Sequence, residues 1–270
     1  MTALENEPEP LRRLACLEVK GGNERADYSI ELPGVTAWVW CRPMAPSIRG
    51  GDLHYLSVCS QGFVSRIALA DVAGHGEAVS AAASRLRALL RKHADEWDHS
   101  DVVRELNDSF LAGASGTEYA TALVLSHYSG SSEMLFTSAG HLPPLWYRAE
   151  VQQWGWLEES TPYAKQIADL PLGLIPGTAY SQTAVQLGWD DLLVLYTDGI
   201  TESTGESGAL LEREGLLALA RAIAPGSAAE TGQRLVAGLE AFRGSRPPED
   251  DETLLVLHHR RSAAEGAWPR

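Results

Sequence analysis

The sequence predicts an α+β domain built as an αββα sandwich, with two antiparallel β-sheets packed face to face and flanked by helix pairs. Three observations predict it. Short β-type runs come in groups, two pairs of amphipathic helical segments separate those groups, and no long linker or fixed-period repeat interrupts the chain. Helices segregated from strands indicate an α+β arrangement rather than alternating βαβ units. Two sheets back to back, each covered by a helix pair, would bury every apolar face.

The strand runs are residues 37–41, 55–59, 63–70, 121–126, 133–138, 192–197 and 253–258, most rich in Val, Leu, Ile and aromatic residues and bounded by Gly, Pro, Ser or Asp. Between the early and middle runs, 77–94 carries Val79, Ala82, Leu86, Leu89 and Leu90 at helical spacing. Val102, Val103, Leu106 and Phe110 repeat that spacing, with Ser100 as the expected N-cap. A second helix pair is predicted over 210–223, through Leu211, Leu216, Leu217 and Leu219, and over 228–242, through Leu235, Val236 and Leu239. The many tryptophans, including Trp38, Trp40, Trp146, Trp154 and Trp156, are expected in core and interface packing.

A chain of 270 residues can bury a substantial core. The acidic, proline-bearing residues 1–13 read as a flexible leader, 14–262 as a single domain and 263–270 as a flexible tail. The formal charge of −14 argues against nucleic acid and against anionic membrane surfaces, both of which are held mainly by Lys and Arg. Cys16, Cys41 and Cys59 show neither a disulfide framework nor zinc-ligand spacing, which suits a reducing, cytoplasmic setting. No signal-peptide pattern and no apolar run of membrane-spanning length is present.

Four aspartates stand at the ends of strand runs beside turn formers: Asp52 in Gly50-Gly51-Asp52, Asp71 in Asp71-Val72-Ala73-Gly74-His75-Gly76, Asp198 in Thr197-Asp198-Gly199, and Asp250 in Asp250-Asp251-Glu252-Thr253. Asp beside Gly is by itself ordinary turn chemistry. Its recurrence on strand after strand is not required by turns, and a carboxylate on a strand end has a rigid support. Several carboxylates at one rim repel one another unless cations bind between them, and oxygen-only ligation suits Mg²⁺ or Mn²⁺. Two such ions can activate water and clamp a phosphoryl group.

These segments, together with Ala139-Gly140-His141-Leu142-Pro143-Pro144, Leu170-Pro171-Leu172-Gly173 and Leu195-Tyr196-Thr197-Asp198-Gly199-Ile200-Thr201-Glu202, resemble the PPM family of metal-dependent protein phosphatases in its SpoIIE-like branch. The likeness extends over roughly residues 35–260. It implies the same αββα sandwich and the hydrolysis of phosphoserine or phosphothreonine on a bacterial regulatory protein, such as an anti-sigma factor antagonist, by a hydroxide bridging two Mn²⁺ or Mg²⁺ ions. Carried over by position, Asp71 would bridge both ions, the Val72 carbonyl would ligate one, Asp198 and Asp250 would complete the ligands of the second ion, and Asp52 would support the site directly or through metal-bound water. Asp251 is taken as a neighbour. The chain departs from many relatives at Tyr55, where they have a second acidic residue.

His75 is a candidate general acid, since imidazole titrates near neutrality. His141, in a Gly-His-Leu-Pro-Pro turn, is expected to be a hydrogen-bonded structural residue. Arg42 and Arg49 are candidates for the substrate phosphate, which guanidinium matches in bidentate geometry. A catalytically silent binding module on the same fold is the alternative, and a two-metal nuclease is disfavoured by the charge. The 30-odd residues ahead of the first predicted strand are too few for a sensor domain. Regulation is then expected from a partner, from metal supply or from the oligomeric state, a homodimer included.

Overall fold

The structure is a computed structural model, and it describes residues 11–74, 77–96, 98–113, 118–157 and 169–260. In chain order the strands are β1 (Arg12–Arg13), β2 (Val19–Glu24), β3 (Ala26–Leu32), β4 (Val35–Arg42), β5 (Arg49–Val58) and β6 (Val64–Val72), followed by helices α1 (Glu77–Lys92) and α2 (His99–Gly113). Next come β7 (Ala120–Tyr128), β8 (Glu133–Ala139), β9 (Leu145–Arg148), β10 (Gln153–Trp156), β11 (Thr183–Gln186) and β12 (Leu192–Tyr196). The chain then forms the short α3 (Asp198–Thr201), the pair α4 (Glu212–Ala222) and α5 (Ala228–Arg243), and β13 (Glu252–His259).

Two sheets result, one of seven strands in the order β1-β3-β4-β13-β12-β9-β10 and one of six in the order β11-β8-β7-β6-β5-β2. Their facing sides meet in a core of Val39, Leu56, Ile67, Leu125, Leu195 and Leu255. Outside the six-stranded sheet, Leu53, Tyr55 and Ala68 pack under Val79, Leu86 and Leu106 of α1 and α2. Outside the seven-stranded sheet, Trp38, Val194 and Val256 pack under Leu216 and Leu235 of α4 and α5. The alternation within β5 shows why both faces are apolar: Leu53 and Tyr55 enter the helix-side layer while Leu56 and Val58 enter the layer between the sheets. This is the predicted αββα sandwich.

Several sequence expectations need correction. Arg12 and Arg13 pair with Ile30 and Glu31 in the one parallel pairing among the described strands, so the last residues of the expected leader belong to a sheet that is not purely antiparallel. The first strands also come earlier than residue 37, because β2 and β3 already flank the two sheets. Helix α2 begins at His99, and the Asp98 carboxylate accepts from Asp101 N at 3.0 Å, making Asp98 rather than Ser100 the N-terminal cap. Tyr55 is fully buried in the helix-side core, where its ring serves packing.

One contact sets how closely α5 approaches its sheet. A Cβ placed on Gly232 would stand 2.0 Å from Cε3 of Trp38, a side chain only 2% exposed. Replacing a mid-helix glycine by alanine ordinarily gains about 1 kcal/mol. Overpacking against a fixed ring costs roughly 1–3 kcal/mol. Gly232→Ala is therefore expected to lower the urea midpoint despite its better helix propensity. A raised midpoint would show that the helix can lift off Trp38 without loss.

Candidate active site at the acidic rim

The strand ends gather the four aspartates at one rim where the two sheets meet. Asp52 and Asp71 lie opposite each other in the β5–β6 ladder, and Asp71 also pairs with Thr121 of β7. Asp198 opens α3 directly after β12, and Asp250 precedes β13, the neighbour of β12. Exposure is graded across the set. Asp52 is 1% exposed, Asp71 and Asp198 are half-buried, and Asp250 is exposed.

Hydrogen bonds between the sheets hold this arrangement. Thr197 heads α3 but does not cap it with its side chain. Its hydroxyl donates instead to Asp52 Oδ2 at 2.7 Å and accepts from Thr253 N at 3.0 Å. Asp251 is a second clamp, accepting from Met44 N and Gly51 N, each at 2.6 Å. It acts as the expected neighbour, with both oxygens engaged by backbone. His141 adds a third link: Nε2 lies 3.1 Å from the Tyr196 carbonyl and Nδ1 lies 2.8 Å from Thr121 Oγ1. A carbonyl only accepts, so Nε2 carries the proton and Nδ1 accepts from the threonine. Desolvation lowers the His141 pKa to about 4, keeping that neutral tautomer and bearing out its structural reading.

The glycines of Gly50-Gly51-Asp52 make room for these contacts. A Cβ on Gly50 would stand 2.3 Å from Asp251 Oδ2, and one on Gly51 would stand 2.6 Å from the Val72 carbonyl oxygen and 3.6 Å from Asp71 Oδ1. Gly51 thus lets its strand pass close to the Val72 carbonyl and the Asp71 carboxylate, with Cγ1 of Val79, 2.8 Å from the same point, closing the remaining space. On Gly199 an added Cβ would meet the Asp251 carbonyl oxygen at 2.0 Å.

The electrostatics are adverse in the bare protein. Burial, then the charge of Asp71, pushes Asp52 well above the usual carboxylate range, against the pull of the Thr197 hydroxyl. Burial, then Asp198, Asp250 and Asp251, raises Asp71 to about 7. Asp198 is raised by burial and by Glu202. A divalent cation would relieve this repulsion, and the donor set of carboxylates and the Val72 carbonyl is all oxygen, so these residues fit Mg²⁺ or Mn²⁺. Among the described residues no three His, Cys, Asp or Glu side chains close on one point at ligand distance. Such ions commonly keep several waters in their shell.

The other candidates fare differently. Arg42 is engaged: its Nε and Nη2 donate to Glu252, which is 1% exposed and also accepts from Arg243 and Ser203. Leaving a buried carboxylate short of a partner is costly, so Arg42 is a structural arginine and not a free phosphate ligand. Arg49 pairs with Glu24, both more than half exposed, in a bond of the kind that exchanges readily with solvent. His75 lies outside the described residues. Thr197 and Asp251 are the site residues the sequence reading passed over or undervalued, and the one available signal was their place inside the acidic motifs.

A family model for Stage II sporulation protein E (SpoIIE) matches residues 63–260, and the chain belongs to that family. It is 27% identical over 195 residues to the phosphoserine phosphatase RsbU of Bacillus subtilis, covering 72% of this chain and 55% of RsbU, so it spans about half of that relative. A structure of RsbU and RsbW domains from Mycobacterium tuberculosis matches with a TM-score of 0.71 at 27% identity, covering 88% of this chain and 64% of that one. The SiaA-PP2C domain of Pseudomonas aeruginosa matches with a TM-score of 0.67 at 20% identity, over 84% of this chain and 85% of that domain, and shares the fold.

Removing the Thr197 hydroxyl strips a partner from two buried groups, Asp52 Oδ2 and Thr253 N, at roughly 1–3 kcal/mol for each buried group left unsatisfied. Thr197→Val should therefore lower the denaturation midpoint substantially, whereas Thr197→Ser should retain most of the stability. Equal losses in the two variants would contradict the hydroxyl's role as a tie between the sheets.

Proposed function

We propose that the chain is a protein serine/threonine phosphatase using two divalent ions, Mn²⁺ or Mg²⁺, and acting on a phosphorylated regulatory protein, an anti-sigma factor antagonist of a partner-switching pathway. The observation carrying this reading is the gathering of Asp71, Asp198 and Asp250 near the Val72 carbonyl, in a chain of the SpoIIE family with a phosphoserine phosphatase among its relatives. When bound, the ions supply an activated water and positive charge for the phosphoryl oxygens.

The protein's own residues do the rest. Asp71 and the Val72 carbonyl would hold the ions from β6, and Asp198 and Asp250 from the β12 and β13 side. Asp52, fully enclosed and bonded by Thr197, acts from beneath as a positioning residue. Without cations the rim repels a phosphate dianion, so acidity and metal requirement are two sides of one design. Arg49 would meet the substrate phosphate by exchanging its exposed partner Glu24. His75, two residues before α1, is proposed as general acid for the leaving serine or threonine oxygen.

The test is the rate of phosphate release from a phosphoserine peptide with Mn²⁺, before and after Asp198→Asn. Loss of an outer-shell partner typically costs about 10–100-fold. Loss of a ligand should exceed that, with kcat/KM falling by about two orders of magnitude or more. Equal turnover by both proteins, independent of metal, would refute the phosphatase reading, and Mn²⁺-free association with an unphosphorylated partner would favour a silent binding module.

A further inference from the structure

Beyond the acidic rim, an open cavity of about 680 Å³ runs between β2, β3 and the outer face of α1. It is lined by none of the four rim aspartates. We propose that this cavity binds a small, multiply charged anion, a phosphate-bearing metabolite, through Lys20, Arg25 and Arg87 with His54 in its wall.

Charge is the first observation. Four cationic side chains, Lys20, Arg25, Arg49 and Arg87, face two anionic ones, Glu24 and Asp27, in a chain whose formal charge is −14. Both acids are already engaged, Glu24 by Arg49 and Asp27 by the Trp38 indole N–H at 3.0 Å. Among the described residues no carboxylate pairs with Lys20, Arg25 or Arg87, and Lys20 instead rests its ammonium 4.9 Å above the Tyr28 ring. Converging unpaired cations at a concave site raise the local concentration of anions.

Unsatisfied polar atoms are the second observation. His54 is 3% exposed and its Nδ1 has no hydrogen-bond partner, and the enclosed Tyr28 hydroxyl has none either. Buried polar atoms without partners are few in folded proteins, and each calls for an explanation. Both residues line the cavity with these two atoms enclosed behind its surface, so that a rotation of either side chain on binding would bring its donor to the oxygens of an anion. Burial, then Arg87 and Lys20, lowers the His54 pKa to about 4, so the two cations already act on the ring. An anion between them would push that pKa back up. The volume falls within the range of roughly 300–1,000 Å³ usual for small-ligand sites.

The cavity wall is joined to the rim. Asn23 of β2 donates through Nδ2 to the Gly50 carbonyl at 2.8 Å and to Ser80 Oγ of α1 at 3.0 Å. Occupancy would therefore be felt by both the Gly50-Gly51-Asp52 strand and the first helix.

The experiment is calorimetric titration of the metal-free full chain with pyrophosphate, with histidine NMR followed in parallel. Metal is removed so that neither chelation nor the acidic rim can account for binding. Saturable binding is expected, with a change in the His54 ring signals, and Asp198→Asn should bind equally well. The double variant Lys20→Ala/Arg87→Ala should lose about tenfold or more in affinity, and Arg25→Glu should weaken binding independently. Absence of binding, undiminished affinity in the double variant, or binding seen only with an acidic peptide and not with pyrophosphate would overturn the proposal.

Discussion

Everything at the rim depends on how the two sheets are tied together at one end. The Asp251 carboxylate accepts two backbone N–H groups from the β4–β5 side, and the Thr197 hydroxyl donates to Asp52. The bonds from Gly51 N to Asp251 and from Thr197 to Asp52 each join a segment of the seven-stranded sheet to β5 of the six-stranded sheet. They set the gap across which Asp71 faces Asp198 and Asp250. Neither bond would survive a small shift of the strand ends, because Gly50, Gly51 and Gly199 already bring the backbones closer than any side chain permits. The His141 bridge from Tyr196 to Thr121 reinforces the same junction.

Forcing acids together in this way has an electrostatic cost that the fold does not remove by itself. Asp52 and Asp71 are both held above the usual carboxylate range, chiefly by burial and then by neighbouring acids. Protons and divalent cations are alternative ways to relieve the strain, and they compete for the same oxygens. The gradient from enclosed Asp52 to exposed Asp250 gives the rim a rigid floor and an open mouth. That geometry suits an ion that must keep exchangeable positions for water and substrate.

Much of this was legible in the sequence, for identifiable reasons. Strands such as β6, β12 and β13 contain the apolar runs IALA, LLVLY and LLVL, buried on both faces, so their pattern is strong. The strands β2 and β3, with the sequences VKGGNE and ADYSIEL, lack that signal and owe their form to pairing with β5 and β4. The acids stood out because each sits where a strand ends. Arg42 was misread because its partner Glu252 lies 210 residues away, and no local pattern announces a buried ion pair of that range. Thr197 escaped for the same reason, since its partner is 145 residues distant.

The central claim, that the rim is a divalent-cation site built on Asp71, is tested most directly by titrating Mn²⁺ into the metal-free protein at pH 8 and at pH 6, for the natural chain and for Asp71→Asn. With Asp71 titrating at about 7, protons compete below that value, so affinity should weaken about tenfold on going to pH 6 with release of a proton on binding. The natural chain should take up two ions, and Asp71→Asn should lose both the tight binding and its pH dependence. Mn²⁺ affinity unchanged by the substitution would contradict the account.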